Sequence, residues 1–278
     1  MRPRIPVLLA AIALFAGSAF AAGCGDDDDN GGDTTAAGGD LGLIQEGQLL
    51  VGTDTPFPPF EIGQPPDITG FDIEVVNAVA EKLGLAVTYQ DTSFDTIFRD
   101  LAQGKFDMVV AATTITPDRE QKVDFSDPYY AADQALVVAP GSDIATVEDL
   151  AGKIVGAQDG TTGEEYANEE AGAADVRGFP EGPDAIQALK AGQVDATIID
   201  QPVAQDALDK AGGIEIPTVI PTGELYGLPF PQDSDSLREE VNKALQELKD
   251  DGTFDALYQK YFKIDAPEAV KTATNEPQ

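Results

Sequence analysis

Short apolar runs alternate with amphipathic helical patterns from residue 41 to residue 265, and this alternation limits the possible fold more than any other feature. Strands separated by helices of about 10–15 residues are typical of parallel sheets that are covered by helices. We therefore predict a protein of the α/β class. The runs with strand-like composition are 48–53, 86–90, 108–111, 134–138, 153–157, 196–199, 214–220 and 226–230.

Capping residues mark the helices between these strands. The pattern at 71–83 has apolar residues at helical spacing and ends at Gly84, which suits a left-handed C-cap. Thr116 followed by Pro117 is the usual combination of an N-cap and a first helical residue. The other predicted helices are 182–192, 237–250 and 253–262.

The chain also contains a weak internal repeat. Residues 101–108 resemble residues 189–196, and residues 47–52 resemble residues 152–156. In the first pair a helix end, a glycine turn and an Asp lead into an apolar strand, so we assign Asp195 to the turn. Two matches in the same order predict two α/β lobes of similar build. A ligand would then bind between the lobes, at the carboxyl ends of the strands.

The two ends of the chain differ from its middle. Residues 1–24 contain two arginines and then an apolar run, which is shorter than the ~20 residues of a membrane span and typical of a secretory signal. The run ends in Ala-Ala-Gly-Cys, which resembles the lipobox of bacterial lipoproteins and predicts a lipid on Cys24. A plain secretory signal with an incidental Cys is the alternative. Residues 25–40 are predicted to form a flexible tether, and residues 266–278 a disordered tail.

The composition argues against several functional classes. The sequence has 17 Lys and Arg against 50 Asp and Glu, which gives a formal net charge of −33. A nucleic-acid partner is disfavoured, because such proteins need a basic surface stripe. The chain has no His and one Cys, which excludes His-dependent triads and an internal disulfide and disfavours a transition-metal site. We expect no catalytic residue, no metal and no cofactor.

Six short motifs are distributed along residues 45–264. They are Val-Gly-Thr-Asp-Thr-Pro-Phe-Pro-Pro-Phe-Glu at 51–61, Gly-Phe-Asp-Ile-Glu at 70–74, Thr-Ile-Thr-Pro-Asp-Arg at 114–119, Val-Asp-Phe-Ser-Asp-Pro-Tyr-Tyr at 123–130, Gly-Thr-Thr at 160–162 and Asp-Ala-Thr-Ile-Ile-Asp at 195–200. In this order and spacing they resemble bacterial solute-binding protein family 3, the polar amino-acid receptors of ABC importers.

The resemblance implies the type II periplasmic binding protein fold, in which two Rossmann-like lobes are joined by two crossing hinge strands and close on the ligand. It places the crossings near 134–139 and 221–230. Lobe 1 is then expected at 41–137 plus 227–265, and lobe 2 at 138–226.

Two charged residues match the two ends of a free amino acid. A zwitterion in a dry cleft needs a cation for its carboxylate and an anion for its ammonium group. Arg119 offers a planar fork that fits a carboxylate, and the resemblance makes it the carboxylate clamp. A surface Arg paired with Asp118 or Glu120 is the alternative. The resemblance assigns the ammonium group to Asp200, for which capping the next helix is the alternative.

Four further residues are expected around the carboxylate. By the resemblance, Thr114 binds it through its hydroxyl and its backbone N–H, and Ala112 contributes backbone groups only. Thr161 and Thr162 lie in a turn before a helix, where backbone N–H groups attract anions. The resemblance gives this turn the second half of the carboxylate grip, and N-capping by either threonine is compatible with that role.

The distal end of the ligand is expected to meet three other residues. Phe57 and Phe94 match the aromatic positions that sandwich the ligand side chain, although Phe94 precedes a helix and could belong to the core instead. Asp54 matches an acid that faces the distal end, and an anion there favours Gln, Asn, Arg, Lys or His over Glu or Asp. Gln158 is compatible with several ligands.

The resemblance and the N-terminal segment together predict an exported lipoprotein on the outer face of the cytoplasmic membrane. It would capture a free L-amino acid of the Gln, Arg, Lys or His class and deliver it to the transmembrane subunits of an ABC permease. We expect a monomer that contacts the membrane only through its lipid. Two alternatives stay open. One is a ligand-sensing lipoprotein, and the other is a cyclohexadienyl-type dehydratase with Glu164 or Glu165 as its general acid.

Overall fold

The computed structural model describes residues 40–275. The predicted signal, the lipid site at Cys24 and nearly all of the predicted tether lie outside the described residues. No helix in this range combines the length and the apolar composition that crossing a bilayer requires. The strands are β1 Gln48–Thr53, β2 Ile62–Gln64, β3 Asp67–Thr69, β4 Ala86–Asp91, β5 Met108–Val109, β6 Asp124–Phe125, β7 Tyr130–Val138, β8 Ile154–Gln158, β9 Asp175–Phe179, β10 Ala196–Asp200, β11 Glu215–Tyr226 and β12 Pro229–Phe230. The helices are α1 Phe71–Leu83, α2 Phe94–Ala102, α3 Pro117–Glu120, α4 Thr162–Glu169, α5 Gly182–Lys190, α6 Gln201–Ala211, α7 Asp235–Asp250, α8 Thr253–Phe262 and α9 Glu268–Thr272.

The first lobe is built on a three-stranded parallel sheet in the order β4–β1–β5. Strand β1 is central, and its Leu49 and Val51 are fully buried. Val51 pairs with Tyr89 of β4 on one side and with Met108 of β5 on the other. Helices α7 and α8 return from the C-terminal part of the chain to pack against α1. The first lobe therefore combines segments from both ends of the described chain.

The second lobe contains a five-stranded sheet in the order β11–β7–β10–β8–β9. Strands β8, β9 and β10 are mutually parallel, as expected for strands linked by helices. Strands β7 and β11 run antiparallel to their neighbours. These are the two predicted crossing strands, and they depart from the parallel pairing of the other three because they enter the sheet from the other lobe rather than through a crossover helix.

Strands β7 and β11 are the two connections between the lobes, and they pair with each other along most of their length. Tyr130 pairs with Tyr226 and Ala132 with Glu224, whereas from Gln134 onward β7 also pairs with β10. The first residues of β7 thus pair only with β11, and the strand lies between β10 and β11 from Gln134 onward. A register shift between Ile220 and Glu224 interrupts the pair, and this irregularity lies where the strands pass between the lobes.

The internal repeat corresponds to the same turn chemistry in both lobes. The Asp107 carboxylate accepts the N–H of Leu50 at 2.7 Å, and the Asp195 carboxylate accepts the N–H of Ile154 at 2.8 Å. Each Asp also donates its own backbone N–H to the neighbouring strand. The assignment of Asp195 to turn chemistry is therefore confirmed.

Helix α1 has the bounds that the sequence predicts, and glycines define both of its ends. Gly84 adopts the left-handed conformation with φ 69° and its N–H caps the last turn. Gly70 precedes the helix with φ 130°, and a Cβ there would lie 1.9 Å from the carbonyl oxygen of Phe60. The close approach brings the loop at 57–61 directly against the start of α1.

An aromatic cluster fixes the first lobe around the crossing strands. Tyr130 of β7 has ring-centroid distances of 5.4 Å to Tyr226 of β11, 5.0 Å to Phe60 and 4.8 Å to Phe262 of α8. Phe71 of α1 lies 4.9 Å from Phe262. Edge-to-face and offset aromatic pairs each add ~0.5–1.5 kcal/mol beyond their buried area. The first-lobe ends of both crossing strands are thus held in a packed core.

The segment after residue 265 is ordered through residue 275, which corrects the prediction of a disordered tail. It forms α9, and Val270 on this helix is fully buried. The buried ammonium group of Lys249 donates to the carbonyl of Val270 at 2.9 Å and to that of Pro128 at 3.2 Å. Polar composition near the terminus suggested disorder, but Ala266 and Val270 are spaced four residues apart and both are buried.

Ending the chain at Asp265 should lower the free energy of unfolding by about 3 kcal/mol, because it exposes the Val270 site and removes one acceptor of a buried cation. Ending the chain at Ala273 is the matched control and should cost less than about 1 kcal/mol. Urea titrations of the two truncated proteins measure the difference. Equal stability of the two would show that α9 does not stabilise the fold.

Two acidic side chains are fully buried behind the cleft in the first lobe. Asp72 of α1 accepts the N–H of Ala112 at 2.8 Å and the hydroxyl of Tyr129 at 2.6 Å. Among the described residues, no donor satisfies either oxygen of Glu61. Burial, and then the charge of Asp72, raises the pKa of Glu61 well above its usual range. Burial likewise raises the pKa of Asp72. We infer that Glu61 keeps a proton and shares it with Asp72, since two buried charges side by side would destabilise the fold.

Substituting Glu61→Gln should weaken the pH dependence of stability. The folded protein holds the Glu61 proton to higher pH than the unfolded chain does, so this residue makes the unfolding free energy fall as pH rises above about 4.5. Gln carries no titrating proton but can still donate to Asp72. We expect the decline between pH 5 and pH 8 to lessen by up to ~1.4 kcal/mol per pH unit. Urea titrations across this range would measure it, with Glu81→Gln on the exposed side of α1 as the control. An unchanged slope in Glu61→Gln would contradict the shared proton.

Candidate functional site

A cavity lies between the two lobes, where the carboxyl ends of β1, β8 and β10 converge. All nine residues predicted to bind ligand line it, and Ala111 and Gln158 complete the lining. The nine are Asp54, Phe57, Phe94, Ala112, Thr114, Arg119, Thr161, Thr162 and Asp200.

Arg119 is buried at the cavity rather than paired on the surface. Its side chain donates to the carbonyl of Thr114 at 2.7 Å and, across the cleft, to the carbonyl of Gly160 at 3.2 Å. The guanidinium carbon lies 5.2 Å from the ring centre of Phe94. Burial lowers the pKa of Arg119 to about 10, so the group stays cationic at neutral pH. No ion pair to Asp118 or Glu120 occurs in the part of the chain that the structure describes. A guanidinium has five N–H donors, and these bonds leave some of them for an anion.

Asp200 ends β10 and is buried in the cavity wall. Its carboxylate accepts the amide N–H of Gln134 and the hydroxyl of Tyr226. Burial and the charge of Glu224 raise the pKa of Asp200 to about 7, and hydrogen bonds from Tyr226 and Gln134 limit the rise. The side chain makes no capping bond to α6, which rules out the capping alternative. Asp200 is therefore a buried acid that no cation of residues 40–275 pairs with directly.

The turn before α4 combines capping with cavity lining. The Thr161 hydroxyl accepts the N–H of Glu164 at 3.2 Å and donates to the carbonyl of Gln158 at 2.8 Å. Thr161 is thus the N-cap that the sequence allowed. The Thr162 hydroxyl instead donates to the carboxylate of Glu224 at 2.8 Å. The first N–H groups of α4 have no partner within the helix, as at any helix start.

The segment opposite this turn differs in detail from the prediction. The Thr114 hydroxyl, expected to face a ligand carboxylate, donates to Glu224 at 2.5 Å. The N–H of Ala112 is used by Asp72, so this residue can offer a ligand only its carbonyl. Ala112 has a φ of 43°, in the left-handed region that non-glycine residues seldom adopt. Asp72 therefore holds a strained residue at the cavity wall.

The far end of the cavity is acidic. The Asp54 carboxylate accepts the amide N–H of Gln158 at 2.6 Å across the cleft, and its other oxygen has no partner among the described residues. Burial raises the pKa of Asp54 to about 6, and the charge of Asp91 adds to the rise. Glu181 lies behind this end, and one of its oxygens is buried with no hydrogen-bond partner in the part of the chain that the structure describes. Burial, and then the charges of Asp54 and Asp91, raise its pKa to about 8.

Phe57 lies at the boundary between the lobes. A Cβ at Gly182 of α5 would lie 2.7 Å from the Phe57 ring, so only glycine fits there without displacing it. Phe94 begins α2 and packs against Phe98 with a ring-centroid distance of 5.6 Å. Both aromatic residues line the cavity while also belonging to packed clusters. The packing and ligand-facing interpretations of Phe94 are thus compatible.

Sequence reasoning missed four residues of this site. Gln134, Glu224 and Tyr226 lie on the crossing strands, and Glu181 precedes α5. The alternation of residues along one strand shows which of its side chains share a face. It does not show which residues of distant strands lie beside them. The structure brings no set of three His, Cys, Asp or Glu side chains into a metal-binding arrangement within residues 40–275.

Comparisons with known proteins agree with this architecture. The sequence model of the bacterial extracellular solute-binding proteins, family 3, matches residues 49–264. The L-cystine-binding protein TcyJ of Escherichia coli (strain K12) is 33% identical over 238 residues, which cover 81% of this chain and 88% of that protein. The arginine-binding extracellular protein ArtP of Bacillus subtilis (strain 168) is 34% identical over 223 residues, which cover 77% and 86%.

Solved structures give the same result. An ancestral arginine-binding protein bound to arginine is 42% identical, with a TM-score of 0.74 over 78% of this chain and 98% of that one. The fold is thus that of the type II periplasmic binding proteins, two α/β lobes joined by two crossing strands. Because the matched segment contains both lobes, both crossing strands and the cavity between them, the chain belongs to family 3 of the bacterial extracellular solute-binding proteins.

Proposed function

We propose that the protein captures a free L-amino acid between its lobes, that it prefers basic ones, and that it delivers them to an ABC permease. The observation that carries this proposal is the burial of Arg119 and Asp200 in one cavity without a direct ion pair between them. Unpaired buried charges are costly. A zwitterionic ligand supplies a carboxylate for one and an ammonium group for the other.

The distal acids favour a cationic side chain over a neutral one. Asp54, Asp91 and Glu181 interact through their charges, and each has a raised pKa. Within residues 40–275, no Lys or Arg forms an ion pair with any of the three. A guanidinium or ammonium group would supply donors to the unpaired Asp54 oxygen and relieve this repulsion. Names of relatives that refer to arginine support this preference.

Binding without turnover is the mechanism we propose. The lobes already contact each other through Arg119 and Gly160 and through Gln158 and Asp54. A ligand that contacts both sides would add to these contacts and shift the population toward the closed form. A dehydratase would need a general acid aimed at its substrate. Glu164, one predicted candidate, accepts the N–H of Gly160 at 2.7 Å and so is committed to the turn.

The location of the protein is part of the proposal. Proteins of this family are extracellular, and we propose that acylated Cys24 holds this one at the outer face of the cytoplasmic membrane as a monomer. The motif that precedes Cys24 and the polar segment after it support this. A ligand-sensing role for a membrane partner would use the same site.

The ligand preference can be tested by thermal shift with each of the twenty amino acids, after unfolding and refolding to remove bound ligand. A ligand at 100 times its Kd should stabilise the protein by about 2.7 kcal/mol. We expect responses to Arg, Lys or His. Asp54→Asn should weaken their binding by about 10–100-fold, because it removes a charged hydrogen bond. Asp67→Asn, an exposed change on β3 of the same lobe, is the control.

A response to Glu or Asp would overturn the role of Asp54 but keep the receptor. Equal effects of Asp54→Asn on Arg and Gln would contradict a distal cation site. If none of the twenty amino acids stabilises the protein, the amino-acid function is wrong, and a dehydratase assay becomes the next measurement.

Ligand binding should release protons near pH 6–7. Asp200, with its pKa raised to about 7, is partly protonated there, but an ammonium group binds its ionised form. Affinity should therefore rise with pH by up to tenfold per unit below about pH 7 and level off above it. Asp54 titrates in the same direction near pH 6. Calorimetry in buffers with different ionisation enthalpies measures the release, which Asp200→Asn should reduce. Proton uptake would contradict an ammonium contact at Asp200.

A further inference from the structure

Glu224 is an acid of the crossing strand β11 whose carboxylate meets donors from both lobes and from the connections between them. It accepts the hydroxyl of Thr114 at 2.5 Å from the first lobe and that of Thr162 at 2.8 Å from the second. It also accepts the hydroxyl of Thr222 and the amide N–H of Gln134, both at 2.9 Å. Nothing in the sequence motifs pointed to this residue.

These hydrogen bonds determine whether the hydroxyls of Thr114 and Thr162 can donate to a ligand or accept from it. A hydroxyl has one proton to donate, and a carboxylate can only accept. The hydroxyl protons of Thr114 and Thr162 are therefore committed to Glu224, and their oxygens can serve the cavity only as acceptors. A ligand carboxylate has no protons to give them, whereas an ammonium group is a pure donor. The threonine hydroxyls are thus suited to the ammonium group.

The charges around Glu224 agree with this assignment. The amide nitrogen of Gln134 donates to both Glu224 and Asp200, so it joins the two carboxylates into one acidic wall. The charge of Glu224 also contributes to the raised pKa of Asp200. Arg119 is the one cationic side chain that lines the cavity within residues 40–275. Two carboxylates face one guanidinium at this end, and a ligand ammonium group offsets the excess.

We propose that Glu224 is a specificity-determining residue, which orients the Thr114 and Thr162 hydroxyls as acceptors and so makes a free α-ammonium group a requirement for binding. The ligand carboxylate is left to Arg119, to the backbone N–H of Thr114 and to the first backbone N–H groups of α4. This inference rests on the proposed amino-acid function and adds the part of the ligand that Glu224 selects. Glu224 thus differs in role from Asp54, because Asp54 is proposed to contact the distal end of the ligand.

The test compares each ligand with its counterpart that lacks the α-amino group. The probes are L-arginine, L-lysine, L-histidine and L-glutamine, each with its desamino acid, and calorimetry on the refolded protein gives both affinities. Glu224→Gln brings an amide that can donate to the threonines and reverse their hydroxyls. It should weaken the best-binding amino acid by about 10–100-fold. Binding of its desamino counterpart should change by less than about threefold, because that ligand makes no ammonium contact.

A purely structural role for Glu224 predicts another result. If the residue only held the crossing strands together, Glu224→Gln would weaken both members of each pair by the same factor. That outcome, or unchanged binding of both, would overturn the inference while leaving the amino-acid function in place. Failure of the unsubstituted protein to bind any of the four amino acids would instead overturn the proposed function.

Two further variants control the experiment. Glu215→Gln removes the same charge from an exposed position at the start of β11 and should alter neither affinity. Glu224→Asp keeps the charge but shortens the side chain by one methylene, which withdraws it from the two hydroxyls. If Glu224→Gln does not fold, as judged by circular dichroism, Glu224→Asp should show the same selective loss for the amino acid, and a parallel loss for both ligands would overturn the inference.

Discussion

The antiparallel pairing of β7 with β11 is the constraint on which the rest of the molecule depends. It joins the lobes by two adjacent strands instead of one flexible linker, so their relative movement is limited to bending and twisting of this pair. The same pairing places Gln134, Glu224 and Tyr226 behind the cavity, in contact with Asp200 and the cavity threonines. Hinge and binding site therefore share residues, and a ligand that touches the site acts directly on the element that bends.

A second feature of the structure is the burial of acidic side chains in and behind the cleft. Glu61, Asp72, Asp54, Glu181 and Asp200 all have pKa values raised chiefly by burial. Around the cavity only Arg119 offsets them, among the residues that the structure describes. In most proteins such acids are paired with Lys or Arg, since unpaired buried charge destabilises the fold. In this protein the excess of acidic side chains lies in the cleft and directly behind it, where a bound cation can reduce the repulsion between them.

Local features of the fold could be predicted from the sequence, and non-local ones could not. The ends of α1, the N-cap at Thr116 and the turn at Asp195 follow from residue types within a few positions of each other. Most of the cavity lining could be predicted because its residues lie in recognisable motifs, with Phe94 and Ala112 outside them. The residue at which one lobe passes into the other does not follow from the sequence, because β7 is one continuous strand that serves both lobes. Glu224 was missed because it lies between the predicted strands 214–220 and 226–230, and its contacts arise only when β11 pairs with β7.

The hydrogen bonds from Arg119 to Gly160 and from Gln158 to Asp54 join protein atoms across the cleft. Such bonds give the closed shape some stability of its own, apart from anything a solute contributes. In an importer, an empty receptor in this shape competes with loaded ones for the same docking surface on the transporter. Uptake at low solute concentration is then set by the ratio of loaded to empty closed receptors as well as by affinity. Weakening these two bonds would reduce futile docking, at the cost of weaker binding of a scarce nutrient.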